Sequence, residues 1–164
     1  MNWITKVTPP GLKTMLAKKD TPDDLWVKCP LSGELVYKTD LEENWHVTPA
    51  GAHLRISPRT RLRLLFDDER WEPLALPSVP HDPLKFKDDK PYPSRLKAAK
   101  AKIAARDKKE SENGGAPIIQ EDCMVAAYGK IGGVPTVVLV QDFAFMGGSL
   151  GMAAGEGFVA AAQM

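Results

Sequence analysis

Glycine supplies the first candidate chemistry. Between Phe143 and Gly157 the chain reads FAFMGGSLGMAAGEG, with Gly147, Gly148 and Gly151 close together just after the apolar run VPTVVLVQDF. Backbone without Cβ can turn sharply and bring its N–H groups close to a ligand. A helix start adds partial positive charge at the same place. Such a stretch suits a phosphate, a thioester carbonyl or a developing enolate oxygen. Its spacing is neither G-x-x-x-x-G-K-[ST] nor G-x-G-x-x-G, so neither nucleotide-binding signature is present. Small residues that let helices pack closely are the competing explanation.

Side chains offer less. Cys29 and Cys123 stand far apart with no further cysteines, which excludes a disulfide framework and points to reduced thiols. Cys123, beside Asp122 and without a nearby cation, reads as inert. His81, set among prolines in SVPHDP, reads as a surface residue rather than a base. Asp142 follows the apolar run and is expected to cap a local backbone donor, with orientation of the glycine turn as its other role. No nucleophile and base are paired by spacing, so no catalytic side chain is assigned. From Arg95 to Lys109, seven residues are basic and only Asp107 is acidic. A solvated amphipathic face explains this better than a phosphate contact.

The elements that must position the glycines follow from pattern. LWVKCPLSGELVYKTDLEENWHV reads as short strands broken by a knuckle at Pro30 to Gly33. Ser57 as N-cap, Pro58 at the first helical position, and Leu62, Leu65 and Phe66 at helical spacing predict a short helix. Residues 67 to 93, crowded with prolines, are expected to wrap over a surface without regular elements. Ser94 is expected to cap a helix over SRLKAAKAKIAARDKKE, and SENGGAPIIQED reads as a flexible connector. VAAYGKI and VPTVVLVQDF flank Gly132-Gly133, a hairpin whose turn needs positive φ. The almost continuously apolar second strand implies burial on both faces. The glycine turn then leads into a helix ending FVAAAQM, at an accessible surface where a side chain added at Gly148 should spare the fold.

Composition sets the outer bounds. The 164 residues are 43% hydrophobic and 26% charged, with net charge +1, which gives no global electrostatic case for nucleic acid or an acidic membrane. No apolar run reaches 18 residues, and the first twenty residues lack a secretory pattern. A cytoplasmic location is the expectation. The domains are read as an N-terminal arm over 1–24, a small module over 25–56 and the main domain over 57–164.

MNWI, LWVKCPLSGELVY, PRTRLRLLFDD, DPLKFKDDKPYPSRLKAAK and VVLVQDFAFMGGSLGMAAGEGFV resemble, in this order, the carboxyltransferase subunit beta of bacterial acetyl-CoA carboxylase. The resemblance spans nearly the whole chain. It implies an α/β, crotonase-like spiral of strand-strand-helix units preceded by a small zinc ribbon, with Val125 to Met164 as one such unit. It also implies transfer of a carboxyl group from carboxybiotin, held on a separate biotin carboxyl carrier protein, to acetyl-CoA to give malonyl-CoA, in partnership with a subunit alpha. In that chemistry backbone amides hold the enolate, so Gly147, Gly148 and Gly151 are expected to line the CoA thioester pocket and no side-chain nucleophile is needed.

Two departures from the family pattern carry expectations of their own. The ribbon's C-x-x-C pairs read here as Cys29, Ser32, Thr48 and Gly51. One thiolate, even with His46 and His53 nearby, does not make a closed tetrahedral site, so no metal is expected and the ribbon is degenerate. The chain also ends at Met164, ahead of the family's second glycine-rich segment, and is expected to be a truncated and poorly active portion of the spiral. The other function class is a noncatalytic module that binds nucleic acid or a subunit through the ribbon and the basic helix. Near-neutral charge and the lack of interleaved aromatics speak against it.

Overall fold

The computed structural model describes residues 25–112 and 115–164, so the arm expected over 1–24 lies outside the described residues. The chain divides into two units, Met1–Leu54 and Arg55–Met164. The described residues form a mixed α/β structure with two small antiparallel sheets.

In the first unit, β1 (Trp26–Lys28) pairs with β2 (Leu35–Tyr37) in the register Val27↔Val36. The knuckle between them closes through Gly33 N–H donating to the Cys29 carbonyl at 2.9 Å, with Gly33 at φ +76°. A short helix α1 (Lys38–Glu43) follows. The pattern did not announce it, since KTDLEE carries a single apolar residue, Leu41, which is buried. A second knuckle begins at Thr48, whose side-chain oxygen accepts from Ala52 N–H at 3.0 Å.

The second unit is built on β4 (Met124–Ile131). Its residues alternate between two packed faces, as strand geometry dictates. Val125 and Ala127 meet Leu62 and Phe66 of α2 (Pro58–Leu65) and the residue after it. Met124 meets Leu96 and Ile103 of α3 (Tyr92–Glu112), together with Cys123, Phe145 and Ala154. Ser57 caps α2 as expected, its Oγ accepting from Thr60 N–H at 3.1 Å. The hairpin also forms as expected, with Gly132 and Gly133 at φ +59° and +80° joining β4 to β5 (Val134–Gln141).

Four expectations are corrected. Burial on both faces belongs to the first half of β4, Met124 to Ala127, because β4 is the central strand of its sheet, while its second half, with Tyr128 and Lys130, is partly exposed; β5 is half-buried. Residues 67 to 93 are not wholly irregular: Trp71–Leu74 form β3, paired with β4 through Trp71↔Gly129. Pro73 is tolerated there because β3 is an edge strand. The long helix starts at Tyr92 and takes Ser94 inside its first turn, where Pro93 costs no hydrogen bond. From residue 115 onward the presumed flexible connector is tied down, with the Ala116 carbonyl accepting from Arg59 and the Pro117 carbonyl from Trp71 Nε1 at 3.1 Å.

Candidate active site at the glycine turn

The turn is held by what precedes it. At the end of β5, Asp142 is only 3% exposed. Its N–H donates to the Cys123 carbonyl at 2.6 Å, and its Oδ1 accepts from Ala144 N–H at 2.9 Å. Phe145, 2% exposed, then anchors the chain in the core. Met146, Gly147 and Gly148 follow at φ +46°, +72° and +74°, three successive left-handed residues. This is where glycine is needed, because an L side chain is disfavoured in that region. Gly148 N–H donates to the Phe145 carbonyl at 2.7 Å, while its own carbonyl accepts from the Gln141 side chain. Gly151, at φ −105°, is the N-cap of α4 (Met152–Ala162).

A cavity of about 310 Å³ opens beside the start of α4, with Met146, Gly151 and Met152 on one wall and His81, Tyr92 and Asp122 on another. A second, of about 400 Å³, adjoins it and shares Val79, His81, Asp122 and Ala153. The three glycines therefore have different positions. Gly151 lines the first cavity; Gly147 and Gly148 shape the turn and are not among its lining residues. Gly148 is also buried, not accessible, and a Cβ there would lie 3.0 Å from Phe143 Cδ1. The expectation that a side chain at this position spares the fold is thereby overturned. Helix geometry leaves the first amides of α4 without intrahelical acceptors, and Gly151, Met152 and Ala153 at that end of the helix are among the residues lining the cavity.

The cavity is apolar with an acidic edge. Burial, then the charges of Asp122 and Asp82, push the Tyr92 hydroxyl above its ordinary value. Cys123 is fully buried with Sγ 3.2 Å from the Ser149 carbonyl, and burial reinforced by Asp122 pushes its thiol up to about 12. This agrees with the reading of an inert thiol. His81 is exposed, as read, but stands at the rim of both cavities. Tyr92, Asp122 and Val79 were missed as cavity walls because the segments carrying them have no periodicity to place them.

Asp142 does more than cap Ala144. Its Oδ2 accepts from Arg106 Nη1 at 2.8 Å and Gln120 Nε2 at 2.9 Å. Other cations of α3 also meet carboxylates, Arg95 with Asp88 and Lys100 with Glu121. The basic stretch is thus partly neutralised by the chain's own acids.

In the first unit, Cys29 and the three residues at the other knuckle positions lie close together. Cys29 Sγ is 3.2 Å from Thr48 Oγ1 and accepts from Ser32 N–H at 3.4 Å, and Gly51 N–H donates to the Thr48 carbonyl at 2.8 Å. Hydrogen bonds from the Ser32 side chain, then the Ser32 backbone, then Thr48 bring the Cys29 thiol down to about 7. One sulfur with hydroxyl and backbone neighbours does not fit tetrahedral zinc. Among the described residues no group of three or more His, Cys, Asp or Glu side chains could hold a metal ion, and no described helix is long and apolar enough to cross a membrane.

No family model matches the chain. It is 81% identical over 164 residues, all of its length, to the acetyl-coenzyme A carboxylase carboxyl transferase subunit beta of Hyphomonas neptunium, of which it covers 50%. Proteins of the same name from Hirschia baltica and Caulobacter vibrioides are 56% and 52% identical over 99% and 98% of the chain, which covers 42% and 47% of them. The resemblance read from the sequence therefore holds along the whole chain. The chain spans about half the length of the curated relatives it matches.

Proposed function

We propose that this chain, as carboxyl transferase beta-type sequence, contributes to moving a carboxyl group from carboxybiotin on a separate carrier protein to acetyl-CoA, giving malonyl-CoA for fatty acid synthesis. A subunit alpha is the proposed partner and the cytoplasm the proposed location. The observation that carries the reading is the match along the whole chain to carboxyl transferase beta subunits, and the geometry fits it: the β4-β5 hairpin leads through the glycine turn to the start of α4, whose Gly151 and Met152 line a cavity. In the proposed arrangement β4-β5-α4 is one strand-strand-helix unit of a crotonase-like spiral within a domain over 57–164. Residues 25–56 form a degenerate ribbon without metal.

The chemistry asked of this chain is electrostatic. Removing the α-proton of a thioester develops charge on its carbonyl oxygen, and backbone donors fixed in advance stabilise that charge; losing one typically costs about 100- to 1,000-fold in rate. Gly147 and Gly148 supply the path of the turn, and Gly151 admits the thioester close to the start of α4. Biotin supplies the carboxyl group when its carrier docks, and no residue here is assigned to hold it. The nucleic-acid alternative is weakened at α3, where three of the seven cations, Arg95, Lys100 and Arg106, are engaged by Asp88, Glu121 and Asp142.

The test is reconstitution. A subunit of the relatives' full length carrying this sequence, combined with subunit alpha and carboxylated carrier, is expected to form malonyl-CoA from acetyl-CoA. Failure to form it from a correctly assembled complex sinks the reading. Elemental analysis of the purified chain is expected to find zinc far below one equivalent.

A further inference from the structure

Asp142 is the most deeply buried charge beside the turn, and the proposed chemistry makes no use of its side chain. Three parts of the second unit converge on it. Arg106 comes from α3, and its Nη2 also donates to Gln120 Oε1 at 3.0 Å and Asp107 Oδ1 at 3.2 Å. Gln120 comes from the segment before β4 and donates a further bond to the Asp122 carbonyl at 3.1 Å. Ala144 N–H comes from the turn itself. A carboxylate accepting from a guanidinium, an amide and a backbone N–H has little freedom to move.

The turn downstream is one that needs such restraint. Met146 carries a side chain at φ +46°, a conformation that persists only where the surroundings over-determine it. The restraint runs along the chain. Phe145 N–H donates to the Asp142 carbonyl at 3.2 Å, Gly148 N–H to the Phe145 carbonyl, and the side chain of Gln141, next to Asp142, holds the Gly148 carbonyl.

We propose that Arg106 and Gln120 are positioning residues that act through Asp142 to hold the turn, and so set Gly151 and the start of α4 beside the cavity. Any effect on turnover rests on the proposed reading of that cavity as a thioester site; the restraint of the turn does not.

Hydrogen exchange on this chain tests the restraint. With Arg106→Met, amides over 143–151 are expected to exchange at least about tenfold faster, while those of the β4-β5 hairpin stay within about twofold. Arg106→Lys, which keeps the charge but not the fork, is expected to recover part of the protection. Should Arg106→Met fail to fold, Asp142→Asn keeps an acceptor for Ala144 N–H and is expected to give the same local pattern. Unchanged exchange at the turn, or equal acceleration of turn and hairpin, overturns the proposal. In the reconstituted enzyme Arg106→Met is expected to lower kcat by about tenfold with KM for acetyl-CoA within about threefold. A loosened turn with normal turnover leaves the restraint standing and overturns the reading of the cavity.

Discussion

Arg106 and Asp142, 36 positions apart in sequence, meet at 2.8 Å with the carboxylate almost wholly out of water. Such a pair contributes little net stability over well-packed apolar residues, but losing one partner strands a buried charge at a cost of roughly 3–5 kcal/mol. Arg106 keeps 22% of its side-chain exposure, which places the expected loss for Arg106→Met at the lower end, about 3 kcal/mol. Adding Asp142→Asn to Arg106→Met should recover part of it. A urea-unfolding double-mutant cycle reads the coupling, expected between about 0.5 and 3 kcal/mol; strict additivity contradicts the pair's importance.

The hairpin turn depends on a second carboxylate. Asp67 accepts from Gly132 N–H at 2.9 Å and Gly133 N–H at 2.8 Å, and these bonds, Gly133 first, hold its pKa below the ordinary 3.8. A carboxylate lowered in the folded state contributes stability that is present above its unfolded value and lost as pH falls through its folded one. Asp67→Asn is therefore expected to lower stability at pH 7 and to flatten the acid side of the stability profile below about pH 4. An unchanged acid limb in the variant contradicts this.

The two cysteines should respond to pH in opposite directions. The Cys123 thiol, raised from 9.0 to about 12, favours the protonated form in the fold. Its contribution is fully present below about pH 9 and declines as pH rises towards 12. Cys29, lowered from 9.0 to about 7, contributes fully above about pH 9 and loses that contribution as pH falls through 7. Chemical unfolding from pH 6 to 11 should show a shallower alkaline decline in Cys123→Ala than in the parent chain. Cys29→Ala should shed the parent's gain between pH 7 and 9.

What the sequence revealed was local. Gly132-Gly133 between two apolar runs specified a two-residue turn, and Ser57-Pro58 specified a helix start, because each signal lies within a few residues of the structure it produces. What it hid was tertiary. The apolar run of β5 reads as the more buried strand, but position in the sheet gives that role to β4, whose Val125 and Ala127 face α2 while Met124 faces α3. Pro73 conceals an edge strand, since the rule against proline in strands applies to central ones. The candidate site was half legible: the glycines mark the turn, while the opposite wall, from Val79 to Tyr92, lies in a proline-rich segment without periodicity. Arg106 read as one cation among seven until Asp142 was found beside it.

Gly148 and Gly151 separate the architecture of the turn from its proposed use. At Gly148, φ is +74° and a Cβ would meet Phe143 at 3.0 Å and the Gln141 amide at 3.3 Å. Gly148→Ala therefore forces both a left-handed L residue, at about 1–2 kcal/mol, and a shift of its neighbours, so lost stability is expected. At Gly151, φ is −105° and nothing lies within 4 Å of an added Cβ. Gly151→Ala should leave the unfolding midpoint within about 2 °C, since exposed substitutions of this kind stay within about 0.5 kcal/mol. Yet its methyl group points into open space at the mouth of α4, beside the cavity that Gly151 lines. If acetyl-CoA brings its thioester there, Gly151→Val in the reconstituted enzyme is expected to cut kcat/KM by at least about tenfold, equivalent to roughly 1.4 kcal/mol of barrier. Normal kcat/KM from a variant that folds and assembles places the thioester elsewhere and leaves the glycines as architecture alone.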